Sequence, residues 1–308
     1  MRTRTSATMA WGGVLLAGVL WGVGALVAQS VLAHGMQPYS LSLARFALGL
    51  PLLWWWHFRQ TAGRQTIRGV SSEWQHLHWR ERTLIVGTGL AMALNVTSWF
   101  AGITYIGAAL PTVISICSAP VIVALLSVLR GYERASGRLA AALALALGGV
   151  GLIVMPAQTL SLPRDYAVGL AWSFASAGLY SLVVLGNARM PAHVPAVTAS
   201  AWSMSVAALL MLAMATLDGV TWPQGGTAWL QVGYIGVFTT SIAYLAFAWG
   251  ARRLSPTATV VGTLIEPLVT ALASAWLFSQ PLTGRQCMGA LLLGAAMLLL
   301  GWGRRVNA

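Results

Sequence analysis

Ten stretches of this chain are predominantly apolar, and each is close to the length of a bilayer crossing. They fall at approximately 9–32, 38–58, 83–103, 107–130, 139–156, 167–187, 196–217, 227–249, 256–279 and 286–303. A membrane helix needs about 20 such residues, so the pattern predicts ten transmembrane helices. Turn and breaker chemistry separates them: His34-Gly35, Pro156, Pro163, Met190-Pro191, Asp218-Gly219, Pro223, Pro256 and Pro281. Only Arg59 to Arg82 is long and polar enough for a true loop, with a short interfacial helix expected around Trp74 to Trp79. No soluble domain fits in what is left. The balance of residues agrees, with 8% charged against about 25% in a soluble domain. The first 33 residues have the outline of a secretion signal: Arg2 and Arg4, an apolar run, then Val31-Leu32-Ala33. That run is about 23 residues, longer than a signal core of roughly 7–15, and reads instead as the first helix.

One hairpin is written twice. Ala119 to Arg138 lies over Glu266 to Arg285 at a constant offset of 147 residues, without a gap. Shared positions include Pro120/Pro267, Ala124/Ala271, Leu125/Leu272, Ser127/Ser274, Gly137/Gly284 and Arg138/Arg285. Apolar matches are cheap in such a chain, but a helix-breaking proline and a Gly-Arg turn in one register are not. Internal duplication marks transporters built from two halves with a site between them. The expected units are residues 1–156 and 157–308, each of five helices. Five is odd, so the second runs inverted.

All 18 basic residues are arginine. The absence of lysine excludes a Walker A loop, a Schiff base and a lysine nucleophile. A formal charge of +12 invites a nucleic-acid partner, but the arginines sit in short loops between spans and report orientation instead. Fifteen fall on one side: Arg2, Arg4, Arg59, Arg64, Arg68, Arg80, Arg82, Arg130, Arg134, Arg138, Arg189, Arg252, Arg253, Arg304 and Arg305. Only Arg164 and Arg285 fall on the other. Both termini are therefore expected in the cytoplasm. Cys117 and Cys287 lie in apolar spans, and His76 and His78 lack a third ligand nearby, so no disulfide framework, metal or cofactor is expected. Catalytic signatures such as H-E-x-x-H and G-x-S-x-G are missing.

Ionisable groups inside spans cost about 2.5–3.5 kcal/mol each at a helix centre and are functional by default. Two occur, Arg45 in the second span and Glu266 in the ninth. Arg45 reads as a carboxylate partner, or as a structural group reaching headgroups or a carbonyl. Glu266 reads as a proton or ammonium site, or as a cap for backbone freed by Pro267. Of the 15 tryptophans, Trp54-Trp55-Trp56, Trp222, Trp229, Trp249 and Trp302 lie near span ends, where an interfacial belt explains them. Trp21, Trp99, Trp172, Tyr180, Trp202 and Tyr244 lie deeper, and their polar tips want partners in protein or a cavity. Core packing is the plainer account of any one; as a set they suggest aromatic walls. Hydroxyls and amides concentrate in spans three, four, six, eight and nine: Asn95, Thr97, Ser98, Ser115, Ser118, Ser173, Ser176, Thr239, Thr240, Ser241 and Thr263. Hydrogen bonding between packed helices accounts for them equally, helped by small-residue contacts such as Gly18-x-x-x-Gly22. Pro120 and Pro267 are expected to mark bends at matched depths beside a site.

These features together resemble the EamA-type branch of the drug/metabolite transporter superfamily, over essentially the whole chain. The resemblance is carried by the paired hairpins, Arg45, Gly131-Tyr132-Glu133, Ala251-Arg252-Arg253-Leu254-Ser255-Pro256 and Glu266-Pro267. Ser279-Gln280 departs from the pattern in a turn, where a Gly-Glu pair is often found. The resemblance implies an all-α integral membrane protein: two inverted five-helix repeats around a central cavity, helices 1, 3, 4, 6, 8 and 9 lining it and 5 and 10 outside. It further implies export of amino acids, other metabolites or drugs across the bacterial inner membrane, by a monomer. A cavity with Trp99, Tyr180 and Tyr244, few charges and scattered hydroxyls suits a neutral or zwitterionic solute with an apolar side chain, aromatic amino acids included. The candidate substrate contacts are Trp21, Asn95, Trp99, Ser118, Tyr180, Thr240, Tyr244, Thr263 and Glu266, with Arg45, Pro120 and Pro267 in structural or gating roles. Efflux of lipophilic cations is the rival of the same class, and would need Glu266. An intramembrane enzyme or a scaffold is the rival of another class, and neither needs a duplicated polar interior.

Overall fold

The computed structural model describes residues 2–61, 74–106, 109–154, 166–277 and 283–301. Arg64, Arg68, Pro156, Pro163, Arg164, Ser279-Gln280, Pro281, Arg304 and Arg305 lie outside the described residues. Within the described residues the chain is helical: α1 (Arg2–Ala33), α2 (Pro38–Thr61), α3 (Trp79–Ile106), α4 (Ala109–Leu129), α5 (Gly137–Val154), α6 (Tyr166–Arg189) and α7 (Ala196–Asp218). Then come α8 (Gly225–Tyr234), a π-helical stretch (Ile235–Ile242), α9 (Ala243–Ala251), α10 (Pro256–Thr263), α11 (Ile265–Leu277) and α12 (Gly284–Gly301). Among the described residues, five rods are long and apolar enough to cross a membrane: Ala7–Ala33, Trp79–Ile106, Ala167–Arg189, Ala196–Asp218 and Gly225–Ala251. Shorter apolar helices include Ser118–Leu129, Gly137–Gly149 and Cys287–Leu300. Leu129, Leu209, Leu217, Leu230, Leu291 and Leu298 stand largely exposed, as lipid-facing side chains do.

The rod Gly225–Ala251 runs through α8, the π stretch and α9. The expected ninth span is instead two helices, α10 and α11, that meet at Leu264. Pro267 supplies the reason. Its ring would clash with the carbonyl four residues back, which belongs to Thr263, the last residue of α10. The helix therefore opens there and restarts, leaving Pro267 in the first turn of α11, where a missing N–H costs little. Pro120 behaves differently: α4 continues through it. The two prolines match in sequence but not as interruptions, which corrects the expectation of paired bends. Around Trp74 the described residues are helical at 74–76, ahead of α3.

Packing follows a simple exchange. Let α1 swap with α6, α2 with α7, α3 with the rod Gly225–Ala251, α4 with the α10–α11 pair, and α5 with α12. Packing of α3 on α6 then becomes packing of that rod on α1, and α4 on α6 becomes α10–α11 on α1. Likewise α3 on α7 becomes the rod on α2, while α2–α7, α4–α10 and α5–α12 map onto themselves. Every one of these pairs is in contact.

Glycine brings the backbones together. A Cβ added at Gly89 of α3 would sit 2.4 Å from the Ser203 carbonyl oxygen of α7, and one at Gly149 of α5 would sit 2.7 Å from that of Gly289 in α12. The Gly18/Gly22 pair of α1 fits the α10–α11 junction, with the Glu266 carbonyl 2.7 Å from a Cβ at Gly22. At one end of the bundle, Gly131 (φ 72°) closes α4, as Tyr132 N–H donates back to the Ser127 carbonyl at 2.8 Å. The next residue, Glu133, is buried and accepts from the Thr257 N–H at 3.0 Å, in the first turn of α10, whose Ser255 hydroxyl caps it by accepting from Ala258 N–H. A carboxylate is favoured at a helix N-terminus.

Overpacking a contact of this kind costs about 1–3 kcal/mol. For a chain of this size each kcal/mol shifts Tm by roughly 2–4 °C. Gly89→Val is expected to lower Tm in detergent by roughly 3–10 °C, measured by differential scanning fluorimetry. Gly87→Ala, where an added Cβ meets nothing within 4 Å, is the control and is expected to leave Tm within about 2 °C of wild type.

Candidate functional site

A cavity opens inside the bundle, with about 800 Å³ of space counting its mouth. It draws its walls from α1, α2, α3, α4, α6, the π stretch, α9, α10 and α11.

Trp21 of α1 organises one wall. Its indole N–H donates to the Thr239 carbonyl at 2.8 Å, so the polar tip is satisfied and the ring is fixed. The ring lies 5.1 Å from Tyr244 and 6.4 Å from Tyr180 (centroid to centroid), both in edge-to-face geometry, and Phe247 packs behind at 5.4 Å. The Tyr180 hydroxyl meets the Thr263 hydroxyl at 3.0 Å, at the end of α10. Such aromatic pairs contribute about 0.5–1.5 kcal/mol each beyond area burial. Trp99 and Phe100 of α3 bring further aromatic surface. Between these rings sit small polar groups. Ser176 donates to the Asn95 side-chain oxygen at 2.8 Å, and Ser115 donates to the Ser173 carbonyl at 3.1 Å.

Two ionisable side chains line the same cavity. Arg45 of α2 is buried and reaches the π stretch. Its Nε donates to Thr240 Oγ1 at 2.9 Å, and its Nη2 donates to Thr239 Oγ1 at 3.3 Å and to the Thr239 carbonyl at 3.5 Å. Glu266 sits in the first turn of α11, directly after the break. Its carboxylate lines the cavity, and among the described residues no hydrogen bond or ion pair reaches it. Arg45 therefore commits Nε and Nη2 to hydroxyls and a carbonyl, close to the structural alternative set out above, while remaining a cavity wall.

The expected contacts separate as follows. The structure gathers Trp21, Asn95, Trp99, Tyr180, Tyr244, Thr263, Glu266 and Arg45 around one space. Ser118 is half-buried away from it, and Pro120 and Pro267 are buried outside its lining. Thr240 is fully buried behind the wall, and Thr239 lines the cavity in its place. The reason is the π stretch: on a regular α-helix Thr240 and Tyr244, four residues apart, share a face, and the wider turn hands that place to Thr239. Two deep aromatics also fall elsewhere. Trp172 is 36% exposed on the outer surface, and Trp202 packs on Trp54 and Trp74. Small and apolar lining residues, among them Gly24, Ala25, Ala28, Val96, Val260 and Leu264, carry no mark that sets them apart from lipid-facing neighbours in the sequence. Among the described residues no group of three His, Cys, Asp or Glu side chains is placed to hold a metal.

A multi-pass membrane helix bundle with a polar, aromatic cavity enclosed among its helices is the build of a solute carrier. The EamA-like transporter family model matches residues 9–155 and again 167–302; the chain belongs to this family. It is similar to the uncharacterized transporter YwfM of Bacillus subtilis, at 28% identity covering 93% of this chain and 92% of that one. It is also similar to the uncharacterized inner membrane transporter YicL of Salmonella typhimurium, at 25% identity covering 96% of each. A crystal structure at 18% identity shares the fold over 99% of both chains, with a TM-score of 0.77.

Trp21→Phe keeps the ring but removes the hydrogen bond to Thr239, and is expected to cost about 0.5–1.5 kcal/mol. Trp21→Ala removes the packing as well and is expected to cost about 3–5 kcal/mol. The order of their Tm values in detergent checks the two contributions.

Proposed function

We propose that this carrier exports neutral amino acids, aromatic ones included, across the bacterial inner membrane, with both termini in the cytoplasm. The observation that carries the reading is that Arg45 and Glu266 line one aromatic cavity together. A free amino acid has a carboxylate, an ammonium and a side chain. Arg45 offers the carboxylate a cation, Glu266 offers the ammonium an anion, and Trp21, Trp99, Tyr180 and Tyr244 offer the side chain an apolar surface with polar edges. The two charges come from different halves, Arg45 from residues 1–156 and Glu266 from 157–308.

In this reading the halves are inverted five-helix repeats, ten spans in all, and alternating access is rocking of one half on the other around the shared cavity. The exchange of packing pairs described above supports it, as does the double match of the family model. The cavity is enclosed by helices of one chain, so a monomer suffices.

Counterflow in liposomes preloaded with unlabelled amino acid tests the assignment, using labelled Thr, Leu, Met, Phe, Trp, Lys and Glu. Uptake of the neutral members is expected, with Trp99→Ala and Tyr180→Ala each lowering it several-fold for Phe and Trp. Lack of uptake of every member would sink the amino-acid assignment.

The lipophilic-cation reading is favoured by one observation, the absence of a partner at the Glu266 carboxylate among the described residues. Glu266→Gln separates the two. An amino-acid carrier is expected to keep measurable counterflow of Phe through its remaining contacts, at a KM raised about tenfold by the loss of one charge-assisted contact of about 1.5–3 kcal/mol. A cation exporter would lose tetraphenylphosphonium transport altogether.

A further inference from the structure

The π stretch Ile235–Ile242 interrupts an otherwise α-helical rod beside the cavity, with Ile235, Thr239 and Tyr244 all in the lining. The step from Thr239 to Tyr244 is five residues. On a regular α-helix five steps of about 100° would carry Tyr244 about 140° round from Thr239, out of the wall. The wide turn brings the two onto one face. Its hydrogen bonding is explicit at the exit, where Ala243 N–H bonds to the Phe238 carbonyl, five residues back.

What holds the turn open is a directional relay. An arginine only donates, so Thr239 Oγ1 and Thr240 Oγ1, which accept from Arg45, turn their own hydrogens elsewhere. Both hydroxyls donate to the Ile235 carbonyl, at 2.5 Å and 3.0 Å. Ser241 donates to the Gly49 carbonyl of α2 at 2.6 Å and lies 3.5 Å from that of Gly236. The Thr239 carbonyl in turn receives Arg45 Nη2 and the Trp21 indole. Helices α1 and α2 close on the turn through glycine: a Cβ at Gly24 would lie 2.6 Å from Thr239 Cγ2, and one at Gly49 would lie 2.8 Å from the Gly236 carbonyl. A buried guanidinium on α2 is thus spent on the shape of a helix from the other half. π-turns are rare and concentrate at functional sites.

We propose that Arg45 is a positioning residue: its guanidinium holds residues 235–242 in π geometry, and the wide turn is what points Tyr244 at Trp21 and at the solute in the cavity. That role for the solute rests on the transport reading above; the geometric claim does not. Without the guanidinium, the two threonine hydroxyls lose their donor, and the segment relaxes by one residue into α register. Ala243, four residues after Thr239 and fully buried now, then takes the cavity face, and Tyr244 leaves it.

Cysteine accessibility reads this exchange without any substrate. In a background with Cys117 and Cys287 replaced by alanine, Tyr244→Cys and Ala243→Cys are each treated with 2-aminoethyl methanethiosulfonate in proteoliposomes, and labelling is followed by mass spectrometry. With Arg45 present, the cysteine at 244 is expected to react roughly tenfold or more faster than the one at 243, the ratio that about 1.4 kcal/mol of register preference produces. Arg45→Gln is expected to reverse that order. Thr240→Val, which keeps the side-chain shape and removes one acceptor of the relay, is expected to shift it the same way and stands in if Arg45→Gln fails to fold. Retention of the wild-type order in both variants would overturn the proposal, and so would equal reactivity at 243 and 244, the mark of a melted segment. On wild-type-active liposomes, Arg45→Gln is expected to raise KM for Phe more than for Leu, and to be non-additive with Tyr244→Ala. An Arg45 that only bound the solute carboxylate would raise both KM values equally and add to Tyr244→Ala. Failure of all amino-acid uptake would strike the transport reading while leaving the labelling result to stand or fall by itself.

Discussion

Close approach of bare backbones is the constraint on which this bundle depends. Inside a bilayer a leucine gains nothing by leaving lipid for protein, so helices associate through contacts that lipid cannot make. Here those contacts are glycines against carbonyls: Gly89 on Ser203, Gly149 on Gly289, Gly22 on Glu266, Gly250 on Ala10. Each brings two main chains to a distance that one methyl group would forbid. Large leucines are left to face outward, and the polar and aromatic groups turn inward toward one another.

That inward turn creates the site, because polar groups buried in a membrane protein must find partners or line water. Most pair off: Thr97 donates to Ser42, Ser203 to the Ile85 carbonyl, and Tyr180 with Thr263. Others line one cavity, where a helix break at Leu264 precedes Glu266 and a π stretch offers the Thr239 carbonyl to Trp21 and Arg45. Both irregularities sit where non-helical backbone is tolerated at membrane depth, against protein or a cavity. Arg45 then serves two elements at once, as part of the wall and as the donor that satisfies the π stretch.

Much of the site was legible beforehand because its chemistry is expensive in lipid. Arg45, Glu266, Asn95 and the deep aromatics Trp21, Trp99, Tyr180 and Tyr244 stood out as groups that a bilayer would not hold without reason, and the fold brings them together. Ser118, Trp172 and Trp202 carried the same signal and lie elsewhere, since a polar tip is served equally well by a neighbouring helix. Thr240 missed by one residue. The difference is one of helix phase, because the turn through residues 235–242 is wider than an α-helical one.

The apolar runs, the repeated hairpin and the helix-breaking prolines are local properties, and by themselves they mark a helical membrane protein that resembles the EamA-like transporter family. Local chemistry suffices there because span length, backbone satisfaction and a missing N–H act within one helix. Only the tertiary structure decided where the break falls, that Pro120 leaves α4 whole, that residues 235–242 widen into a π-turn, and that Thr239 rather than Thr240 faces the cavity. The widened turn and the choice of Thr239 lie against partners distant in the chain: Arg45 and Gly49 against the turn, Trp21 on its carbonyl. Such partners set helix rotation, and no periodicity within one segment contains that information.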